Sequence, residues 1–391
     1  MWNKEEIFAK IDSYQPEMWA LIEDFVNTDS GEDAPEGVDY IAHKIGAILE
    51  PLGFKITYHE SNGPLQIIAE RPRPGKPKVL VFGHMDTVFP KGTAAARPFH
   101  IKDGIAYGPG VMDMRSGVCM GIYTLKSMIE CGYDDVDLTV YFAGDEENNH
   151  IYSDAAKVLG EVAKGKDAAF NMEPARDGAI VSGRKGVWRP LIKVKGIAAH
   201  SGNDYTTGAS AILELSKKAI DLFDVTNLEA GTTSNVGTFH GGTVPNIMAE
   251  HAEAKMDIRF TKISELEIAR KKVEAIVAKR YDERCETTMV EIPSDTMPCF
   301  EETENGLALC AYVKEQYAAL GYGELESQFV GGSSDAAYTT LAGVPTVCSM
   351  GPKAWGAHSA NEYAYVDSYI PRCHNLAMCI MNIEKFIARV K

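Results

Sequence analysis

The chain has 391 residues, 45% of them hydrophobic, and a formal net charge of −16 at pH 7. That length holds two domains with full cores, and the acidic balance excludes a general polyanion binder, so no nucleic-acid partner is expected. The eight cysteines (Cys119, Cys131, Cys285, Cys299, Cys310, Cys348, Cys373 and Cys379) form no Cys-x-x-Cys pair and read as free thiols. With no apolar signal core after Met1 and no apolar run of about 20 residues, the expected address is the cytoplasm, away from membranes.

Residues 4–27 predict one or two helices broken near Pro16, and 36–50 an amphipathic helix ending before Pro51. Short β-rich runs follow at 54–60, 65–70 and 78–83, the last apolar throughout, as in a strand buried on both faces. A helix is expected from just after Asp113 to about Glu130, stopped by Cys131-Gly132. Two more core strands, Leu138 to Phe142 and Asp167 to Asn171, each end just before acidic residues. Between 187 and 292 the pattern becomes strand (187–195), helix (206–223), strands (233–239 and 252–260), helix (263–281), strand (286–292). That β-α-β-β-α-β order is a split-βαβ sandwich. It predicts an inserted domain, 187–296, inside a discontinuous one, 1–186 and 297–391. Helices near 303–320 and 368–390 complete the chain.

Chemistry-bearing residues recur in five segments: Gly83-His84-Met85-Asp86-Thr87, Gly110-Val111-Met112-Asp113, Asp145-Glu146-Glu147, Met172-Glu173-Pro174 and Gly356-Ala357-His358-Ser359. As an ordered set they supply what a two-metal hydrolase needs: two imidazoles, a carboxylate to bridge, one further carboxylate per metal, and a spare carboxylate as base. Three of the segments follow directly on predicted core strands. The carboxyl edge of an α/β sheet is where ligands bind, so distant motifs are expected to meet there.

With these motifs the chain resembles the co-catalytic zinc metallopeptidases, a family that includes glutamate carboxypeptidase, peptidase T, aminoacylases and succinyl-diaminopimelate desuccinylase. The glutamate carboxypeptidase branch is the nearest match, since Gly331-Gly332-Ser333-Ser334-Asp335-Ala336-Ala337-Tyr338 and Glu362-Tyr363 also correspond. The resemblance implies an α/β fold: a mixed-sheet catalytic domain with an inserted ferredoxin-like α+β lid that also dimerises the protein. It implies two Zn²⁺ per subunit, with Co²⁺ or Mn²⁺ as alternatives. Asp113 would bridge them, with His84 and Glu173 on one ion and Glu147 and His358 on the other. Asp86 would orient the His84 imidazole, and Glu146 would act as general base. His200 would stabilise the oxyanion, reaching the site from a partner subunit in dimeric relatives. Asn246 and Arg259 would hold the substrate's terminal carboxylate, and Gly332 and Ser333 lie where substrate would pass.

Two stretches depart from the family pattern. Met114-Arg115-Ser116-Gly117 stands where Lys-Gly-Gly is usual after the bridging Asp, and Asn149-His150 stands where Gly-Ser is usual after the paired glutamates. The expected activity is hydrolysis of a peptide or amide bond next to a free C-terminal carboxylate, with a small peptide or N-acyl amino acid as substrate. An N-acyl amino-acid amidohydrolase uses the same metals and base, and a metal-binding scaffold without turnover is the non-enzymatic alternative. Arg184-Lys185 reads as a solvated basic pair.

Overall fold

A computed structural model describes residues 2–292 and 295–391. Contacts divide them into two units: Met1–Gly183 with Glu302–Val330 and Ser334–Lys391, and Arg184–Glu301 with Gly331–Ser333. The second unit is somewhat wider than the 187–296 expected from sequence, and it also takes in the glycine-serine loop.

The first unit is built on a six-stranded mixed sheet, in the order Lys55–His59, Gln66–Arg71, Asp137–Ala143, Lys78–His84, Ala168–Asn171, Thr346–Val347. The first three strands pair antiparallel and the last four parallel. Val79, Val81, Val140, Phe142 and Phe170 bury one face among the helices, while Leu80, Phe82 and Tyr141 are buried on the other. Both faces are covered, which is why these strands read as unbroken apolar runs. The parallel register sets His84 beside Ala143 and Phe82 beside Asn171, so three strands end at one level. Burial of helix Ser116–Glu130 is nearly complete. Its start presses on the strand that ends before Glu173: a Cβ on Gly117 would lie 1.9 Å from the Met172 carbonyl oxygen, so only glycine fits.

The long N-terminal run is two helices broken near Pro16, as expected: Lys4–Ser13 and Gln15–Val26, with Pro16 in the first turn of the second. Several other elements differ from the sequence expectation. The C-terminal run is two helices, Tyr369–Met381 and Ile383–Val390. A five-stranded sheet was not anticipated: His100–Lys102, Ile105–Tyr107, Tyr363–Tyr365, Lys353–Trp355 and Ala175–Arg176, in that order. Its strands have two or three residues, too short to show a period of two.

The inserted unit follows the β-α-β-β-α-β order, with both helices and the last strand shorter than expected and the two middle strands longer. The strand expected over 187–195 is split into Gly186–Trp188 and Leu191–Lys195 around Pro190, which has no N–H to give to a ladder. Both pieces line one edge of His251–Phe260, and Thr233–Gly241 pairs with the other edge. Helices Ala211–Phe223 and Ile263–Ala278 bury Leu215, Leu222 and Val273 against this sheet. The helix expected from 206 begins only at Ala211, where the Ser210 side chain accepts the Leu213 N–H at 3.2 Å.

Candidate metal centre

At the common carboxyl end of the three strands the chain brings together seven of the residues singled out in sequence. His84 closes its strand; Asp145, Glu146 and Glu147 follow Ala143; Glu173 follows the strand that ends at Asn171. His358 arrives from the connection between Lys353–Trp355 and Tyr363–Tyr365, in the sheet the sequence did not reveal. Its backbone is left-handed, with φ of 60°, a conformation that costs a non-glycine residue about 1 kcal/mol or more and marks a constrained position.

Asp113 lies between the two imidazoles. Its Oδ1 is 3.1 Å from His84 Nε2, and its Oδ2 is 3.5 Å from His358 Nε2. Glu173 Oε1 is 3.6 Å from His84 Nε2, and Glu147 Oε2 is 3.0 Å from His358 Nε2. Two ligand triads result, His84–Asp113–Glu173 and Asp113–Glu147–His358, each with its donor atoms within 4.8 Å of one another. They share only Asp113.

Asp86 supports both halves. Its backbone oxygen and Oδ1 each lie 3.2 Å from His84 Nδ1, leaving Nε2 to face the carboxylates. Its carboxylate also accepts the N–H groups of Glu146 (3.1 Å) and Glu147 (2.9 Å), pinning the glutamate pair. Glu362 is buried and accepts the N–H groups of Gly110 (3.0 Å), Met112 (2.7 Å) and Asp113 (2.9 Å). Its structural part was missed in the sequence, where nothing marks an acid 249 residues away as the anchor of a loop.

Crowded charge shows in the proton affinities. Burial drives the Glu146 carboxyl well above its usual range, with Asp335, Glu173 and Glu147 adding to the effect and His84 opposing it. Burial and Asp113 push Glu147 up to about 7. For Asp113, burial acts upward but is outweighed by hydrogen bonds to His358 and His84, which hold it low. His358 is raised to about 11 by Asp113 and Glu147. Glu147 Oε1 is buried without a hydrogen-bond partner. An orphaned carboxylate oxygen, with buried acids and imidazoles that compete for protons, is a donor set that divalent cations satisfy. The residues fit a metal pair.

The remaining candidates lie in the inserted unit. His200 and Asn246 are exposed neighbours: His200 bridges to Ile247, and the Ser201 N–H donates to the Asn246 carbonyl at 3.0 Å. Arg259 turns its fork on Asp257, with Nε 2.7 Å from Oδ1 and Nη2 3.1 Å from Oδ2. Gly332 is exposed, and Ser333 Oγ donates to the Lys185 carbonyl at 3.2 Å. Arg184 and Lys185 are not a solvated pair. Arg184 Nη1 donates to the Ser333 carbonyl at 3.2 Å and Lys185 Nζ to that of Gly231 at 2.8 Å, and both are part-buried.

Residues 80–382 match peptidase family M20/M25/M40. The chain belongs to this family. Carboxypeptidase G2 of Pseudomonas sp. (strain RS-16) is 30% identical to it, over 94% of this chain and 89% of its own length. A succinyl-diaminopimelate desuccinylase of Paraburkholderia xenovorans is 27% identical, over 81% of this chain and 87% of its own. Among solved structures, aminopeptidase PepT from Bacillus cereus superposes with a TM-score of 0.77 at 19% identity, covering 99% of both chains. An M20 family metallo-carboxypeptidase from Sulfolobus solfataricus gives 0.70 at 17% identity, covering 93% of this chain and 98% of its own. These structures share the fold, a mixed α/β catalytic domain carrying an inserted lid. This member of the M20 family is accordingly a hydrolase of the metallopeptidase type, from a metal-dependent family whose relatives act on peptides or N-acyl amino acids.

Within the family pattern, the Met114-Arg115-Ser116 departure has a structural use. The buried Arg115 guanidinium donates to Phe25 O, Thr28 O and Ser30 Oγ, and Ser116 Oγ meets Tyr369 Oη at 2.7 Å. Both tie the Asp113 loop to the helices beneath it. No helix among the described residues is long and apolar enough to cross a membrane.

Proposed function

We propose that this protein is an exopeptidase that cleaves a peptide or amide bond next to a free C-terminal carboxylate, using two divalent cations held by His84, Asp113, Glu147, Glu173 and His358. The observation that carries the reading is the sharing of Asp113 between two ligand triads. Zinc suits one imidazole and carboxylate oxygens per ion, and cobalt or manganese suit them as well. Such a pair, when bound, supplies the Lewis acidity that activates water and polarises the scissile carbonyl.

Glu146 is the residue left over when the ligands are assigned. Its Oε2 is 4.0 Å from His84 Nε2, and its raised proton affinity suits a base that takes a proton near neutral pH and returns it to the leaving amine. Asp86 orients His84 and holds Glu146 in place. His200 stabilises the developing oxyanion, Asn246 and Arg259 take the substrate carboxylate, and Gly332 and Ser333 line its path. His200 and Asn246 come from a second copy of the chain. Support for a homodimer lies on the inserted unit. The outer edge of Thr233–Gly241 has no strand partner among the described residues. Leu213 (55% exposed), Ile220 (68%) and Phe223 (49%) stand out of the adjoining helix. A cytoplasmic address fits eight free cysteines, seven of them buried.

An N-acyl amino-acid amidohydrolase is the second reading, favoured by the several desuccinylases among the relatives. Kinetics on dipeptides and N-acyl amino acids, with and without a C-terminal amide, decide between the two. The expected result is hydrolysis of free-carboxylate dipeptides, loss on amidation, loss on exhaustive chelation and recovery with about two zinc ions per chain. Turnover that survives chelation overturns the reading.

A further inference from the structure

Just past the paired glutamates the chain runs through two consecutive left-handed residues, Asn149 (φ 52°) and His150 (φ 56°), where the family usually carries Gly-Ser. Both are unfavourable for a side chain with a Cβ, more so for His than for Asn. The turn is closed by its own backbone: the His150 N–H reaches the Asp145 carbonyl at 3.0 Å, and the Asn149 N–H that of Glu146 at 2.8 Å. What this conformation achieves is the burial of the His150 ring between two carboxylates. Nδ1 lies 3.1 Å from Asp145 Oδ1 and Nε2 lies 2.6 Å from Asp335 Oδ1, and the ring leans on Tyr338 with centroids 5.7 Å apart. Asp145 and Asp335 are themselves buried, and Ser153 Oγ donates to Asp145 Oδ1 at 2.7 Å.

A carboxylate only accepts, so an imidazole nitrogen facing one must carry a proton. Two such contacts make His150 an imidazolium, a cation set between two anions away from water. Charge-assisted hydrogen bonds of this kind are about twice as strong as neutral ones and hold geometry tightly. Asp145 is the residue before Glu146, and Asp335 precedes helix Ala336–Leu341, two residues after Ser333 in the chain.

We propose that His150 is a positioning residue for Glu146: an imidazolium clamp that locks the turn carrying the base to the start of helix Ala336–Leu341. Burial opposes charge on the ring, but Asp335 and Asp145 outweigh it and raise its proton affinity well above the ordinary histidine range. The inference rests on the reading of Glu146 as base. It adds a residue of this chain that neither touches the metal ligands nor follows the family pattern.

The test is a double-mutant cycle on the metal-loaded enzyme with His150→Ser, Asp335→Asn and the two combined, with kcat, KM and metal content measured for each. A clamp predicts a kcat lowered about 10- to 100-fold in each single variant, KM within about threefold and metal content unchanged. It also predicts a double variant no worse than the poorer single one, because both changes break the same link. Losses that multiply, or a double variant with kcat within twofold of the parent, overturn the proposal. His150→Ser strands two buried carboxylates, whereas the double variant leaves only Asp145, to which Ser153 Oγ still donates, so the double variant remains informative where His150→Ser alone fails to fold. A second readout is ¹⁵N NMR of labelled histidine at pH 8: both His150 nitrogens protonated supports the clamp, and a neutral ring overturns it. Glu146→Gln separates the two ideas. Normal turnover in that variant removes the base assignment while leaving the ¹⁵N result standing.

Discussion

Glu362 Oε1 accepts the backbone N–H of Asp113 at 2.9 Å, so a buried acid from the far end of the chain aims the residue proposed to bridge two cations. Burial raises Glu362 to about 7, against the hydrogen bonds from Asp113, Gly110 and Met112 that favour its charged form. Glu362→Gln turns an amide NH₂ toward an N–H donor. We expect metal affinity to fall about 10- to 100-fold with the fold retained, as read by competition with a chromogenic chelator. Unchanged affinity would mean that the loop holds Asp113 without this anchor.

Glu146 is expected to be essential for turnover and dispensable for metal. Glu146→Gln keeps size and hydrogen bonding while removing the base, so kcat should drop by about 10²- to 10⁴-fold. Metal content and KM should stay near the parent's values. Loss of bound metal in this variant would instead make Glu146 a ligand.

A pH effect on stability is expected away from the metal centre, at Glu130. Burial acts upward on this carboxyl, but hydrogen bonds from Lys126, Tyr14 and Lys10 outweigh it and hold it at about 2, below its ordinary 4.5. Because the folded value is depressed, the stabilisation is full above the unfolded value and disappears as pH falls from 4.5 towards 2. Glu130→Gln should therefore cost about 1 kcal/mol in urea unfolding of the metal-stripped protein at pH 7, since the group is part-exposed and screened. The gap between parent and variant should close on acidification. A gap undiminished at pH 2.5 would show that packing, not charge, is responsible.

Placing a charge on the apolar face of helix Ala211–Phe223 tests assembly. Leu213→Asp and Ile220→Asp touch exposed positions, so the monomer should fold, while sedimentation should show loss of the dimer. kcat/KM should fall with it if His200 and Asn246 are supplied by the partner. A fully active monomer would remove that role from both residues.

The seven residues that meet at the strand ends could be named before any tertiary contact was known because their chemistry is specific and three of their five segments follow recognisable strands. Strands buried on both faces announce themselves as apolar runs such as Val79 to Phe82, and the acidic motifs come directly after them. Backbone chemistry was equally legible at Pro16, whereas the cap at Ser210 was passed over by a helix expected from 206. Pro190 was just as decisive, but the expectation ran a single strand across it, a misreading of a signal that was present.

Other features had no local signal at all. The sheet that delivers His358 is made of strands too short to carry a period, and it exists because Tyr363–Tyr365 finds Ile105–Tyr107 more than 250 residues earlier. Glu362 and Asp335 belong to motifs that mark the family branch, but their contacts with the Asp113 loop and His150 appear only in the fold, and Arg184 looked solvated until it met Ser333. Residue types and their order thus pointed to the groups proposed to do chemistry and to the element order, since those are properties of a few neighbouring residues. Which oxygen of Asp113 faces which histidine, and what holds it there, depended on pairings across hundreds of residues, whose free energy comes from burial summed over the whole domain.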